Sequence, residues 1–280
     1  MSVAVSRRRF VGLAAGAVGA ALLQPRLRAE ESDFPGFVLG IQSYTLRGLS
    51  TADCIRHSAE IGFKNIEFFS GHFPLESTEE QISEMRQNLE AAGLTALGHG
   101  VNGFSADHDA NRRVFEFAQR AGIRNISADP SPDSFESLDK LVAEFDIRIA
   151  IHNHGPNARY DKIVDVLRAV ESHDPRIGAC ADLGHYIRSG EDPVEAIRLF
   201  GDRLFGIHLK DFAEQQENTR GVILGAGHLD VEGVFRALKQ VNFPADGCLS
   251  LEYEENPDNP LDDVRQCYAI AKEASEKALA

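Results

Sequence analysis

Two imidazoles close an apolar run, Ile149-Ala150-Ile151-His152-Asn153-His154. In an extended strand successive side chains alternate faces, so Ala150, His152 and His154 share one side and Ile147, Ile149 and Ile151 the other. Later apolar runs also end in polar residues: Asp182 and His185 in DLGH, His208 and Lys210 in HLKD, Glu252 and Glu254 in SLEYE. Earlier runs end at Gln42 and Tyr44, Glu67, His99 and Asp129. Imidazole supplies neutral nitrogen and carboxylate offsets positive charge, so together they suit one divalent ion, Mn²⁺, Zn²⁺, Co²⁺, Fe²⁺ or Mg²⁺. The competing reading is a carboxylate–imidazole hydrogen-bond network. Without a cation, converging charges of this kind cost heavily in desolvation.

These residues need a scaffold that brings many run ends together. The runs are IGFKNIEFF (61–69), AGLTALGHG (92–100), AGIRNISAD (121–129), FDIRIAIHN (145–153), PRIGACADLGH (175–185), DRLFGIHLKD (202–211) and PADGCLSLEYE (244–254), with LGIQSYTLR (39–47) first. The segments between them read as helices. One opens on Ser77/Thr78 as cap and ends at Gly93; another carries Val231, Val234, Phe235, Leu238 and Val241 at helical spacing behind Asp230. Eight alternating strand–helix units predict a parallel sheet closed into a single-domain (β/α)₈ TIM barrel. The open doubly wound alternative lacks a Gly-rich dinucleotide fingerprint after its first strand. In a closed barrel the active site lies at the C-terminal strand ends, where the polar residues fall.

The 280-residue chain has a formal charge of −14. Its first 29 residues hold Arg7, Arg8, Arg9, Arg26 and Arg28 and no acid, so the remainder carries −19. Such a surface repels phosphate backbones, which argues against a nucleic-acid partner. The N-terminus places Ser6-Arg-Arg-Arg-Phe10 before a 13-residue Gly/Ala-rich apolar run, too short for a stable membrane anchor. It resembles a twin-arginine export signal, which implies a signal segment over 1–29, a barrel over 30–280 and a periplasmic or exported protein. Cys54, Cys180, Cys248 and Cys267 form no Cys-x-x-Cys pair and read as buried free thiols.

The ordered set DLGH (182–185), HLKD (208–211), LGAGHLD (224–230) and SLEYE (250–254) resembles the sugar phosphate isomerase/epimerase family. That family lies in the xylose isomerase-like barrel superfamily, which also includes ketose 3-epimerases, inosose dehydratases and endonuclease IV. The resemblance implies Asp182, His208 and Glu252 as metal ligands, His185 and Lys210 as contacts to substrate oxygens, and His99 and Glu67 as pocket residues. Many relatives end the fifth strand in Glu-Asn-His, with the Glu on the metal. Here the place reads His152-Asn153-His154, so His152 substitutes as the fourth ligand and His154 faces the substrate. The alternative keeps both histidines in the substrate pocket.

The resemblance implies a small sugar, keto-sugar or cyclitol as substrate, with Glu252 taking a proton α to a carbonyl and His152, His154 or His185 returning one. The first expectation is therefore a metal-dependent isomerase or epimerase. A dehydratase or lyase acting on an inosose or an oxidised (3-keto) glycoside is the alternative, because the loss of one carboxylate weakens a two-sided proton transfer. A non-catalytic sugar-binding barrel is the third reading, and a homo-oligomer is left open.

Overall fold

The computed structural model describes residues 37–280. The expected export segment lies outside the described residues. Eight parallel strands close into a barrel: β1 (Gly40–Gln42), β2 (Asn65–Phe68), β3 (Thr95–Phe104), β4 (Asn125–Pro130), β5 (Arg148–His152), β6 (Ile177–Asp182), β7 (Leu204–Leu209) and β10 (Cys248–Leu251). Around the barrel the strands follow chain order, and β10 pairs with both β7 and β1 to complete the ring. Two further strands, β8 (Asp211–Phe212) and β9 (Gly221–Val222), form a small antiparallel hairpin after β7. Among the described residues no helix is long and apolar enough to cross a membrane.

The helices begin and end where local chemistry dictates. Helix α2 (Glu79–Ala92) starts on a Thr78/Gln81 capping box and stops at Gly93, whose φ of 67° favours a residue without Cβ. Helix α8 (Val231–Gln240) is capped by the Asp230 carboxylate, which accepts from the Gly233 N–H. Strand alternation sorts side chains between two cores. Ile149 and Ile151 of β5 face the outer layer between sheet and helices. Ala150 and His152 face the barrel axis, where Ala150 packs with Cys180 and Phe205. All four cysteines are free and buried.

One stretch departs from the sequence expectation. The run expected as a strand over 39–47 pairs only through Gln42, whose side chain accepts from the Tyr44 N–H and turns the chain into a 3₁₀ helix, Ser43–Leu46. The charged segment that follows β7 is organised as the β8–β9 hairpin. The buried Asp211 carboxylate accepts from the backbone N–H groups of Gly225, Gly227 and Leu229, tying the following loop to the hairpin base.

Candidate metal centre and substrate pocket

Four strands deliver one candidate ligand each to the top of the barrel axis. His152 ends β5, Asp182 ends β6, His208 lies near the end of β7, and Glu252 follows β10. One donor atom from each falls within a 4.8 Å cluster, and all four residues are buried. Nε2 of His152 is 3.0 Å from Nδ1 of His208. Asp182 Oδ2 lies 3.6 Å from the former and 3.7 Å from the latter, and Glu252 Oε2 is 3.1 Å from His208 Nδ1. The sequence brings Asp182 here by a double local role: it ends the strand and caps helix α6 (Leu183–Arg188), with Oδ1 accepting from the His185 N–H at 2.7 Å.

The donor chemistry fits a divalent cation. Two imidazole nitrogens face each other beside two carboxylates, and such lone pairs are reconciled only by a proton or a cation between them. Asp182 Oδ2 is buried and accepts no hydrogen bond, although Lys210 Nζ is 3.0 Å away. Asn153, between the two histidines, was not singled out by sequence reasoning. Its side chain donates to the Asp182 carbonyl and accepts from the Asp182 N–H, so it locks β6 against the end of β5.

Lys210 and the remaining histidines surround the cluster. The Lys210 ammonium lies 2.6 Å from Glu252 Oε2 and 2.5 Å from Glu254 Oε1. Burial works against its charge, but Asp182, Glu252 and Glu254 outweigh that and raise its pKa well above the ordinary value. Burial would also raise Asp182 and Glu252. Lys210 reverses this for Asp182, and Lys210 and His208 for Glu252, leaving both carboxyls well below the usual range. The His154 ring centroid is 4.5 Å from that of His152, and the His185 centroid is 5.9 Å from it. Burial lowers their pKa values to about 4 for His154 and about 3 for His185, so both are neutral at physiological pH.

Two residues expected to line the substrate pocket sit deeper. Glu67 is 1 % exposed. Its oxygens accept from Ser127, from Ser250 at 2.8 Å and from His208 Nε2 at 3.2 Å. His99, also 1 % exposed, donates from Nε2 to the Phe73 carbonyl, while the Asn102 amide reaches its Nδ1. Glu67 is turned to the far nitrogen of His208 and His99 to the Phe73 carbonyl and the Phe117 ring, and neither belongs to the four-residue cluster. Ser127 and Ser250 carried no distinguishing sequence signal; only strand register aligns them with Glu67. Asp129 pairs with Arg159 at 3.2 Å, away from the cluster. Beneath the hairpin a cavity of about 220 Å³ reaches Lys210 and Glu252, with Arg188, Phe212 and Glu254 among its walls.

Comparison with known proteins agrees with this architecture. The family profile described as "Xylose isomerase-like TIM barrel" matches residues 55–270. An inosose dehydratase of Clostridium tetani is 32% identical over 226 residues, covering 73% of this chain and 72% of the relative. A 3-oxo-isoapionate decarboxylase of Pectobacterium atrosepticum is 28% identical over 177 residues, covering 57% of this chain and 62% of the relative. The crystal structure of an L-ribulose 3-epimerase superposes with a TM-score of 0.67 at 16% identity, covering 86% of this chain and 95% of that one. At that identity the superposition shows the fold alone.

Proposed function

The chain belongs to the xylose isomerase-like TIM barrel family, and from that premise we propose that it is a metal-dependent lyase of the dehydratase type. Its substrate is a small keto-sugar or cyclitol, and the reaction begins with proton abstraction α to the carbonyl. The observation that carries this reading is the buried His152–Asp182–His208–Glu252 cluster, with Lys210 at salt-bridge distance from two of its carboxylates. When bound there, a divalent cation would polarise the substrate carbonyl.

Within the cluster, His152 takes the place of a second carboxylate, leaving Glu252 as the carboxylate base. Epimerisation at one carbon needs an acid/base group on each face. A syn elimination needs one: Glu252 takes the α proton, the C–H electrons form the double bond, and the β C–O bond breaks. The same carboxyl then gives its proton to the departing oxygen, which leaves as water or an alcohol. Lys210 places an ammonium beside the developing oxyanion, and neutral His154 and His185 offer hydrogen bonds to substrate hydroxyls. The names of the curated relatives, a dehydratase and a decarboxylase, support a lyase better than the isomerase or epimerase expected first.

The test incubates metal-loaded protein with an inosose and with a 3-keto-glucoside in D₂O. Loss of water or of the aglycone, read by mass spectrometry, supports the lyase. Deuterium uptake without that loss points to isomerisation or epimerisation, and binding without either outcome points to a sugar-binding barrel. The proposal extends to export, with residues 1–29 as the twin-arginine signal. N-terminal sequencing of protein from the periplasmic fraction tests it, and a chain retaining Arg7 and Arg8 there would refute cleavage.

A further inference from the structure

Glu67 is a carboxylate buried inside the barrel, 1 % exposed. It sits at a register shift between β2 and β3, directly opposite Gly98. A Cβ at position 98 would lie 3.0 Å from Glu67 Cγ and 2.6 Å from the Cys248 Sγ, so glycine there makes room for the acid. Burying a carboxylate carries a desolvation penalty of several kcal/mol, and an apolar side chain of similar size would avoid it. Ser127 and Ser250 hold both oxygens, and one of these oxygens also faces Nε2 of His208 at 3.2 Å. The opposite ring nitrogen of His208 is the one that faces the cluster.

We infer that Glu67 is the positioning residue of the metal centre: its carboxylate fixes His208 as the Nε2–H tautomer and so presents the Nδ1 lone pair to the ion. The inference rests on the reading of the four-residue cluster as a metal site. An outer carboxylate on a metal-binding imidazole sets both tautomer and ring orientation, and its loss weakens metal binding about 10- to 100-fold. His152 has no such support. Its Nε2 faces the cluster, but its Nδ1 is buried without a hydrogen-bond partner. The two histidines are therefore unequal, and His208 is the anchored one.

The experiment measures Zn²⁺ affinity by competition with a chromophoric chelator for the wild-type chain, Glu67→Gln and Glu67→Leu. Metal-free melting curves confirm that each variant is folded. Gln keeps an acceptor for the His208 N–H and removes the charge, whereas Leu removes both. The expected loss is about 10-fold for Gln and about 100-fold for Leu. Because a variant in the barrel interior can fail to fold, nitrogen-15 spectra of the histidines in Zn²⁺-loaded wild-type protein give a second measure. They are expected to show His208 metallated at Nδ1 and protonated at Nε2. Wild-type affinity in a folded Glu67→Leu protein, or metal on Nε2, overturns the inference while leaving the metal site standing. A wild-type chain that takes up no Zn²⁺ overturns the metal reading itself, and this inference with it.

Discussion

At the scale of single residues, the proposed centre divides into groups that would hold an ion and groups that would act on a substrate. On the proposed reading His152 offers one of the four donor atoms that lie within 4.8 Å of one another. His152→Ala is therefore expected to lose most bound Zn²⁺ at equal folded concentration, as elemental analysis would read. If the variant retains one ion per chain, His152 belongs to the substrate pocket instead. Lys210 predicts the opposite pattern. Its ammonium contacts Asp182 and Glu252 without supplying a lone pair, so Lys210→Met should keep Zn²⁺. Its turnover should fall about 10²- to 10³-fold, the usual result of losing one donor to a developing oxyanion. Parallel loss of metal and turnover in Lys210→Met would show that the lysine is needed to assemble the site.

At the scale of elements, the β8–β9 hairpin and the loop that follows form the wall beside Lys210. Asp211 unites them by accepting three backbone N–H groups in a buried position. Asp211→Ala leaves those donors without a partner, and a loss of about 3 kcal/mol is expected from urea unfolding. Proteolytic cleavage between Ala213 and Arg220 should accelerate in the same variant, because the hairpin tip is already exposed. Unchanged cleavage would mean that the β8–β9 pairing holds the hairpin without the Asp211 clamp.

At the scale of the whole molecule, four histidines are kept neutral: His72 and His99 are buried, and His154 and His185 sit among partly desolvating neighbours. Burial lowers the pKa values of His72 and His99, and desolvation by the surrounding protein lowers His154 to about 4 and His185 to about 3. Below the unfolded histidine value of about 6.5, the unfolded chain binds protons that these folded sites refuse, so stability falls as pH drops. His208 is raised instead; its contribution is complete below about pH 6.5 and is lost only at higher pH. Chelator-treated protein should thus show a lower urea midpoint at about pH 5 than at about pH 6.5, and His99→Gln should flatten the difference. Equal midpoints for the wild type would show that these imidazoles titrate normally. Metal acts at the same scale: Zn²⁺ at about 100 times its dissociation constant adds about 2.7 kcal/mol. Its removal should lower the melting temperature by about 5–10 °C.

The sequence by itself determined the barrel and most of the cluster. Apolar runs alternating with capped helices leave few ways to bury their faces, and such units close into a parallel barrel. Asp182, His208 and Glu252 were legible because the residue at a strand's C-terminal end falls at the barrel mouth once the strand is identified. His152 was legible from its alternation with Ile149 and Ile151. Only the tertiary structure decided depth. Glu67 and His99 also end apolar runs, yet register sets them within the wall, one behind His208 and the other on the Phe73 carbonyl. The partnership of Glu67 with Ser127, Ser250 and Gly98 joins residues from four strands, and no local pattern encodes it. Strand ends follow from local propensity, whereas the level of one side chain beside another depends on the stagger of strands far apart in the chain.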